Sequence, residues 1–172
     1  MPKLTSPTLP TGNQPGNSPY KAIDDDLRPG RCWPFKGSSG QLGIQFVAPL
    51  KLSHITIDHI PKEVAMLMQN APREITIWGF NTSTTKTNPL YGPSLVDGKG
   101  SPPLRDKGYT FALVANLTYD IHAAAHIQTF PVSRFHEDDG AHEGVVVEFL
   151  SNWGWETTCI YRVRVHGTLE QN

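Results

Sequence analysis

Apolar and polar residues alternate along much of the chain. Residues 41–46 read Gln-Leu-Gly-Ile-Gln-Phe, and this two-residue period is typical of a half-buried β-strand. Residues 54–60 repeat the pattern and place Ile55, Ile57 and His59 on one face of a second strand. The pattern therefore predicts that the imidazole of His59 shares a face with core residues.

Five further segments have strand-like patterns, at residues 74–80, 109–117, 127–132, 144–150 and 157–165. One short helix is predicted at 62–70, because prolines at 61 and 72 bound it. The chain also contains 15 glycines and 15 prolines, which suits many strands joined by turns better than a helical bundle. We therefore predict an all-β fold, an antiparallel β-sandwich of jelly-roll type, with a short helix and a long inserted loop.

Two segments contain few large apolar residues. Residues 1–19 are rich in Thr, Pro, Gly and Ser, and such a segment cannot bury enough surface to offset its ordering entropy. We interpret residues 1–19 as a mobile arm and residues 20–172 as one domain. Residues 81–108 have a similar composition and form the predicted inserted loop, which is functional or disordered.

The composition excludes several functional classes. The net charge is −1, which argues against a protein that binds nucleic acid by neutralising phosphates. No apolar run approaches the roughly 18 residues that a membrane span needs, so contact with a membrane is expected only through segments upstream of this sequence. None of the common nucleophile, phosphate-loop or zinc-protease motifs occurs, and we expect no enzymatic activity.

Three weaker signals have a structural and a functional interpretation. His122 and His126 are four residues apart and, with Asp120, would suit a metal-dependent hydrolase, but ordinary surface histidines are the favoured interpretation. Asn81 and Asn116 each begin an N-glycosylation sequon. Because Asn81 begins the predicted loop, it is the better candidate of the two.

A specific resemblance begins at residues 29–37, which read Pro-Gly-Arg-Cys-Trp-Pro-Phe-Lys-Gly. This segment resembles the Pro-Gly-x-Cys-Trp-x-Phe-x-Gly signature of the SUN domain family. Further blocks resemble the family in the correct order, at residues 55–61, 70–75, 151–154 and 158–167. The resemblance extends from about Tyr20 to Gly167, which is most of the chain.

The resemblance implies a β-sandwich and a non-enzymatic role. SUN domains lie in the perinuclear space, as lumenal domains of inner nuclear membrane proteins. They bind the C-terminal tail of KASH proteins and form the LINC bridge between nucleoskeleton and cytoskeleton. By resemblance, this chain is expected at the nuclear envelope with a KASH tail as its partner.

The resemblance also implies a site for the partner's terminal carboxylate. His59, Asn70 and Tyr161 correspond to residues of the family's carboxylate pocket, and all three side chains can donate hydrogen bonds to an anion. Thr157 stands where relatives have a second pocket tyrosine, so an aromatic wall is missing but a hydroxyl remains.

The family's cation loop corresponds to residues 21–32. Its ion, potassium or sodium, is held mainly by backbone carbonyls, and Asp26 matches an acidic position of that loop. Lys21 begins the loop, whereas Asp24 and Arg31 replace neutral residues of relatives. Arg31 is expected to pair with Asp24 or Asp26, which would weaken the case for a bound cation. No other cofactor is expected.

The two cysteines, Cys32 and Cys159, are open to two interpretations on the sequence alone: free thiols, or a disulfide that closes a loop of 127 residues. The resemblance favours the disulfide, because the family carries one at these positions and the perinuclear space is oxidising.

Residues 4–19 lack the apolar residues that the family's peptide-clamping lid needs. Peptide binding is therefore expected to be weaker or differently arranged. The lid also contacts the neighbouring protomer in family trimers, so we expect this chain to be monomeric, while a trimer stays open for a longer protein. The alternative function is a carbohydrate-binding jelly-roll module that uses Trp33, Trp153 and Trp155.

Overall fold

The structure is a computed structural model that describes residues 4–5, 18–82, 108–132 and 140–170. In these ranges the chain forms a five-residue 3-10 helix and nine β-strands. The helix spans Pro19–Ile23, and the strands are β1 (Leu4–Thr5), β2 (Trp33–Lys36), β3 (Gly40–Asp58), β4 (Glu74–Thr82), β5 (Tyr109–Thr118), β6 (Ile127–Pro131), β7 (His142–Phe149), β8 (Thr157–Ile160) and β9 (Arg162–Leu169). This confirms the predicted all-β class.

All described strand pairs are antiparallel, and β3 takes part in both layers of the sandwich. Its first half pairs with β1 and β7, and the sheet continues through β4 to β5. Its second half pairs with β6 and β9 instead. The register of β3 shifts between Gln45 and Leu50 and again between Leu52 and His54, and bulges of this kind let one strand bend from one sheet into the other.

The alternating pattern therefore predicted two strands where the structure has one long strand. The reverse occurs at residues 157–165, where the sequence predicted one strand and the structure has two. The first, β8, pairs with β2 as a separate two-stranded sheet, while β9 returns to β3. The sequence reading missed β2, because Pro34 lies inside it and prolines argue against a strand interior.

The predicted helix at 62–70 is wrong. This segment forms isolated turns, in which Val64 and Ala65 both donate to the carbonyl of Pro61 and Ala71 donates to Met68. Helix nucleation is unfavourable, and a segment this short between two prolines gains too few hydrogen bonds to offset it. The described helix lies instead at Pro19–Ile23, where Ser18 caps its first turn.

The predicted arm and loop lie largely outside the described residues. Of residues 1–19, the structure describes 4–5, which pair with Gly43 and Ile44 of β3, and 18–19. The inserted loop is described at its two ends alone, at 81–82 and 108. The helix of the described part is five residues long, far shorter than a membrane crossing requires.

The core lies between the sheets and consists of the inward-facing residues of the strands. Its buried members include Leu42, Ile44, Ile55, Ile57, Ile75, Ile77, Leu117, Val145, Val147, Phe149 and Val163. The pattern at 54–60 is confirmed on this face, since Ile55, Ile57 and His59 are each no more than 1% exposed.

The opposite face of β3 is buried as well. Thr56 and Asp58 are 1% and 2% exposed, because side chains of β6 and β9 cover them. Arg164 donates from Nη2 to the Asp58 carboxylate at 2.7 Å, and the Thr56 hydroxyl contacts His166 Nε2 and Thr129 Oγ1, each at 2.8 Å. The side chains of Thr56 and Asp58 thus both have partners, which offsets the cost of removing them from water.

A disulfide joins Cys32, just before β2, to Cys159 of β8, with 5.5 Å between the two Cα atoms. The interpretation as two free thiols is therefore excluded in the structure. The bond closes a separation of 127 residues and anchors the end of the 21–32 segment to the last part of the chain.

Gly144 is expected to tolerate no side chain. A Cβ at this position would lie 2.5 Å from the carbonyl oxygen of Ile44 and would collide with the ring of Phe80. We expect Gly144→Ala to lower the free energy of unfolding by about 1–3 kcal/mol, as overpacking does in well-packed cores. Urea denaturation of both variants measures the effect. Gly140→Ala is the matched control, because a Cβ at that position meets nothing within 4 Å. Equal midpoints for the two variants would contradict the described packing.

Loss of the disulfide is expected to destabilise the domain. The double variant Cys32→Ala/Cys159→Ala should lose roughly 2–5 kcal/mol of unfolding free energy, because the unfolded chain is no longer constrained. Denaturant unfolding with and without a reductant measures this. The wild type should respond to the reductant and the double variant should not, whereas a wild type that ignores the reductant would show that the bond is absent.

Candidate functional site

The side chains of His59 and Tyr161 meet where two strands end. His59 directly follows β3, and Tyr161 is the single residue between β8 and β9. Their ring centroids are 4.8 Å apart with an edge-to-face angle of 68°, which is a favourable aromatic geometry. The site predicted around the final tyrosine and this imidazole therefore has its two central members in contact.

Both rings are buried in the free domain. His59 is 1% exposed and Tyr161 is 6% exposed. Tyr161 belongs to a small apolar cluster with Cys32, Ile60 and Cys159, against which Leu27 and Ala65 pack. A ligand can reach the polar atoms of these rings only if part of this packing moves.

The hydrogen bond of His59 determines its proton arrangement. Nδ1 lies 3.2 Å from the carbonyl oxygen of Ile60, and since a carbonyl can only accept, Nδ1 is assigned the proton. Nε2 is buried and has no hydrogen-bond partner among the described residues. In the neutral ring this nitrogen is an acceptor, so it can donate to a carboxylate only after the ring takes up a second proton.

Burial lowers the pKa of His59, because the charged ring would be poorly solvated. The hydrogen bond to Ile60 opposes this effect, and the nearby His126 adds to it. Tyr119 is the other ring beside His59, with centroids 6.0 Å apart, and burial raises its own pKa. The free site therefore holds a neutral imidazole at neutral pH.

Among the described residues, the hydroxyl of Tyr161 accepts one hydrogen bond and donates none. Its oxygen accepts a hydrogen bond from the backbone N–H of Gly30 at 3.1 Å, so its own proton remains available to an acceptor. Gly30 adopts a φ of 80°, a left-handed conformation that favours glycine. The Pro29-Gly30 turn thus supports the tyrosine from the loop side.

Asn70 and Thr157 are connected to β8, the strand that carries Cys159, and neither has a described contact with the two rings. The carbonyl of Asn70 accepts from the N–H of Cys159 at 2.9 Å, and its Oδ1 is buried without a partner among the described residues. Thr157 is half-buried at the start of β8, opposite Lys36 of β2. The described contacts connect Asn70 to the disulfide strand and give no direct contact between Thr157 and the rings.

Sequence reasoning missed two residues that organise the site. Tyr119 is 1% exposed and packs on His59, while its hydroxyl donates to the carbonyl of His126 at 2.8 Å. Asn152 donates to the carbonyls of Trp155 and Thr157 and to the hydroxyl of Thr158 at 2.8–3.2 Å. The signal for Asn152 was its place in the Ser-Asn-Trp-Gly block, whereas no motif marked Tyr119.

Five of the six charged side chains of the 21–32 segment form ion pairs within it. Lys21 donates to the Asp24 carboxylate, and Arg28 binds Asp26 through two hydrogen bonds of 2.8 Å. Arg31 lies 3.8 Å from the same carboxylate. The hydrogen bond from Arg28 holds the pKa of Asp26 far below its usual range, and Lys21 lowers that of Asp24.

These pairs do not fit a cation held by side-chain carboxylates. Asp24 and Asp26 are already neutralised by cationic side chains of the same segment. Within the described residues, no group of three His, Cys, Asp or Glu side chains could hold a metal ion. The cation stays a prediction, and its ligands would have to be backbone carbonyls.

Several residues suggested for a metal-dependent hydrolase or for a carbohydrate-binding module are engaged in contacts with other side chains or with the core. The ring of His122 packs edge-on against Trp153 at 5.2 Å, and Asp120 accepts from the backbone N–H of His122. Arg73 lies over the Trp153 ring at 4.6 Å. Trp33 is 7% exposed and belongs to the core, whereas Trp155 is 45% exposed.

A family model and curated relatives both match this sequence, and they name the same family. The model of the Sad1/UNC-like C-terminal family matches residues 12–102 and 103–169. SUN domain-containing protein 2 of Mus musculus is 29% identical over 153 residues, which cover 87% of this chain and 17% of the relative. SUN domain-containing protein 5 of Homo sapiens is 30% identical over 154 residues, which cover 88% of this chain and 33% of the relative. The chain thus spans a third or less of the length of these relatives.

Solved structures are similar in fold at low sequence identity. The family 32 carbohydrate-binding module of EndoD from Streptococcus pneumoniae superposes with a TM-score of 0.62 and 12% identity, covering 97% of this chain and 96% of the module. An F5/8 type C domain from Bacteroides fragilis gives 0.61 and 11%, covering 98% of this chain and 93% of the domain. These similarities confirm the jelly-roll sandwich. The family rests on the sequence matches alone: since the family model covers most of the chain, the chain belongs to the Sad1/UNC-like C-terminal family, the family of SUN domains.

Proposed function

We propose that this chain is the lumenal peptide-binding domain of a nuclear-envelope bridging protein, and that it grips the C-terminal tail of a KASH protein without enzymatic chemistry. The observation that supports this most is the contact between His59 and Tyr161. The Tyr161 hydroxyl can donate to an anion there, and His59 can do so once it takes up a proton; both lie beside a chain segment fixed by the disulfide.

Recognition would fall on the terminal carboxylate of the tail. The O–H of Tyr161 has no acceptor among the described residues, and Asn70 carries an amide next to the strand of the disulfide. A charged His59 would add an N–H from Nε2. Hydrogen bonds to a charged group contribute about 1.5–3 kcal/mol each, so this small set is sufficient to distinguish a free chain end from a neutral one.

The tail can reach the buried rings of His59 and Tyr161 only if the packing over them opens locally. Leu27 and Ala65, which pack on the Tyr161 cluster, belong to irregular segments rather than to strands. Segments with few buried contacts open at lower free energy than core strands. The tail would therefore enter by displacing the side chains of Leu27 and Ala65, while β3, β9 and the disulfide keep the rings in place.

Three further features belong to the proposal. The domain would lie in the perinuclear space, a compartment whose oxidising lumen suits the Cys32–Cys159 bond. We expect this chain to be monomeric, with trimer formation dependent on segments beyond it. A potassium or sodium ion in the 21–32 segment stays part of the prediction only with carbonyl ligands.

The carbohydrate-binding alternative has weaker support. It needs exposed aromatic faces, but Trp33 is buried and Arg73 covers Trp153. Trp155 alone of the three is well exposed. The fold shared with carbohydrate-binding modules does not by itself transfer their function.

The carboxylate hypothesis predicts that amidating the tail weakens binding. Synthetic KASH C-terminal peptides with a free or an amidated end differ by one charge, and losing one charge-assisted hydrogen bond corresponds to at least about a tenfold rise in Kd. Isothermal titration calorimetry of both peptide forms measures the difference.

Tyrosine-to-phenylalanine variants supply the matched control. Tyr161→Phe keeps the ring and deletes the hydroxyl, so it should reduce the preference for the free end. Tyr109→Phe deletes a hydroxyl at the exposed start of β5 and should change nothing. Equal affinity for both peptide forms in the wild type would rule out carboxylate recognition.

The protonation of His59 predicts tighter binding at lower pH. A bound carboxylate favours the charged ring, whereas burial keeps the free ring neutral, so binding takes up a proton. Affinity should rise as pH falls from 7.5 to 6, by up to about tenfold per pH unit. The tail carboxylate stays ionised throughout this range.

The stability of the free domain should change in the opposite direction. Because the folded pKa of His59 lies below its unfolded value, the unfolded chain binds more protons, and stability falls as pH drops below about 6.5.

Two histidine variants test the pH dependence of peptide affinity. His59→Gln has an amide that does not titrate, so its affinity should lose the pH dependence. His122→Gln, the matched control at an exposed histidine that packs on Trp153, should keep it; a wild-type affinity that does not vary with pH would contradict proton uptake.

A further inference from the structure

The sequon Asn116-Leu117-Thr118 lies on the outer face of an edge strand. In β5, Ala115 and Leu117 are buried at 1% and 5% exposure, and Asn116 and Thr118 alternate with them on the exposed side. Among the described strands, β5 pairs with β4 alone. Both functional positions of the sequon therefore face solvent at the margin of the sheet.

The amide of Asn116 is oriented by a neighbouring strand. The hydroxyl of Thr76 on β4 donates to Asn116 Oδ1 at 2.9 Å, so the oxygen is directed towards the sheet. In the described part of the chain, Asn116 Nδ2 has no hydrogen-bond acceptor. Since an N-glycan is attached at Nδ2 and leaves Oδ1 unchanged, this hydrogen bond can persist in a glycosylated domain.

The second sequon is placed less favourably. Asn81 is half-buried in β4, which lies between β5 and β7, and its Oδ1 accepts from the backbone N–H of Glu143 at 2.9 Å. Its third residue, Ser83, lies outside the described residues. The sequence favoured Asn81 because it begins a loop, but the geometry favours Asn116.

We propose that Asn116 is an N-glycan acceptor, an inference that rests on the lumenal placement proposed above but not on peptide binding. The donor would be a lipid-linked oligosaccharide pyrophosphate. The bond between Nδ2 and the sugar C1 forms as the C1–O bond to the pyrophosphate breaks. The pyrophosphate leaves with the electron pair, and Nδ2 gives up one of its two protons.

A glycan at this position would also protect the sheet. An exposed edge strand offers unpaired backbone groups to other chains, and a bulky polar group on its outer face hinders such pairing. His59 and Tyr161 lie at the ends of β3 and β8, and Tyr119, which packs on His59 just after β5, is buried, whereas Asn116 is on the exposed face of that strand. The glycan would therefore leave the tail-binding site accessible.

The test is expression of the chain in eukaryotic cells behind a secretory signal, followed by N-glycosidase F treatment. Wild type should shift in electrophoretic mobility on treatment, and mass analysis should find Asn116 converted to Asp. Asn116→Gln and Thr118→Ala should abolish the shift. Thr118→Ser, which keeps the sequon, and Asn81→Gln should retain it.

Two results would overturn the inference. One is a wild-type protein with an intact Cys32–Cys159 bond and an unmodified Asn116. The other is a shift that Asn81→Gln removes and Asn116→Gln does not. Peptide binding, measured on the same samples, separates the two proposals, because an unglycosylated domain that still binds a free-carboxylate tail leaves the proposed function intact.

Discussion

The candidate site depends on the attachment of the 21–32 segment to the last strands of the chain. The Cys32–Cys159 bond makes this attachment covalent, and the N–H of Gly30 reinforces it by donating to Tyr161. Ala22, Ile23 and Leu27 of the segment pack on buried residues, whereas its ion pairs join partly exposed side chains and contribute little to stability. Without the covalent bond, the turn beside Tyr161 would lose its covalent anchor, and the tyrosine hydroxyl would be less firmly oriented.

The alternating pattern predicted the fold class because burial on one face is a local property of a strand. It could not predict the long β3, since the bulges between Gln45 and His54 depend on which partner strand lies alongside. It also gave no reason for Thr56 and Asp58 to be buried. Their partners, His166 and Arg164, come more than 100 residues later, and no local pattern contains that pairing.

The sequence predicted part of the candidate site. Alternation placed His59 on the core face, but its contact with Tyr161 followed from the family resemblance alone, and this contact is present. Neither source indicated that Tyr119 packs on the imidazole or that the rings are almost fully buried. Burial of this degree arises from irregular segments that pack over the rings, and irregular backbone has no periodic signal.

The charge on His59 would differ between the free site, where the ring is neutral, and a site that holds the carboxylate of a tail. Burying a neutral imidazole costs little, but burying a carboxylate without a counter-charge costs much, so a tail anion and a proton on His59 would stabilise each other. A neighbouring segment with uncompensated carboxylates would oppose this entry. Residues 21–32 contain three acidic and three basic side chains, and the internal pairs of Asp24 and Asp26 neutralise the acids nearest the turn. Lys21 and Arg28, which pair with Asp24 and Asp26, would therefore favour an anionic partner, and they also make these carboxylates unavailable as ligands to a cation.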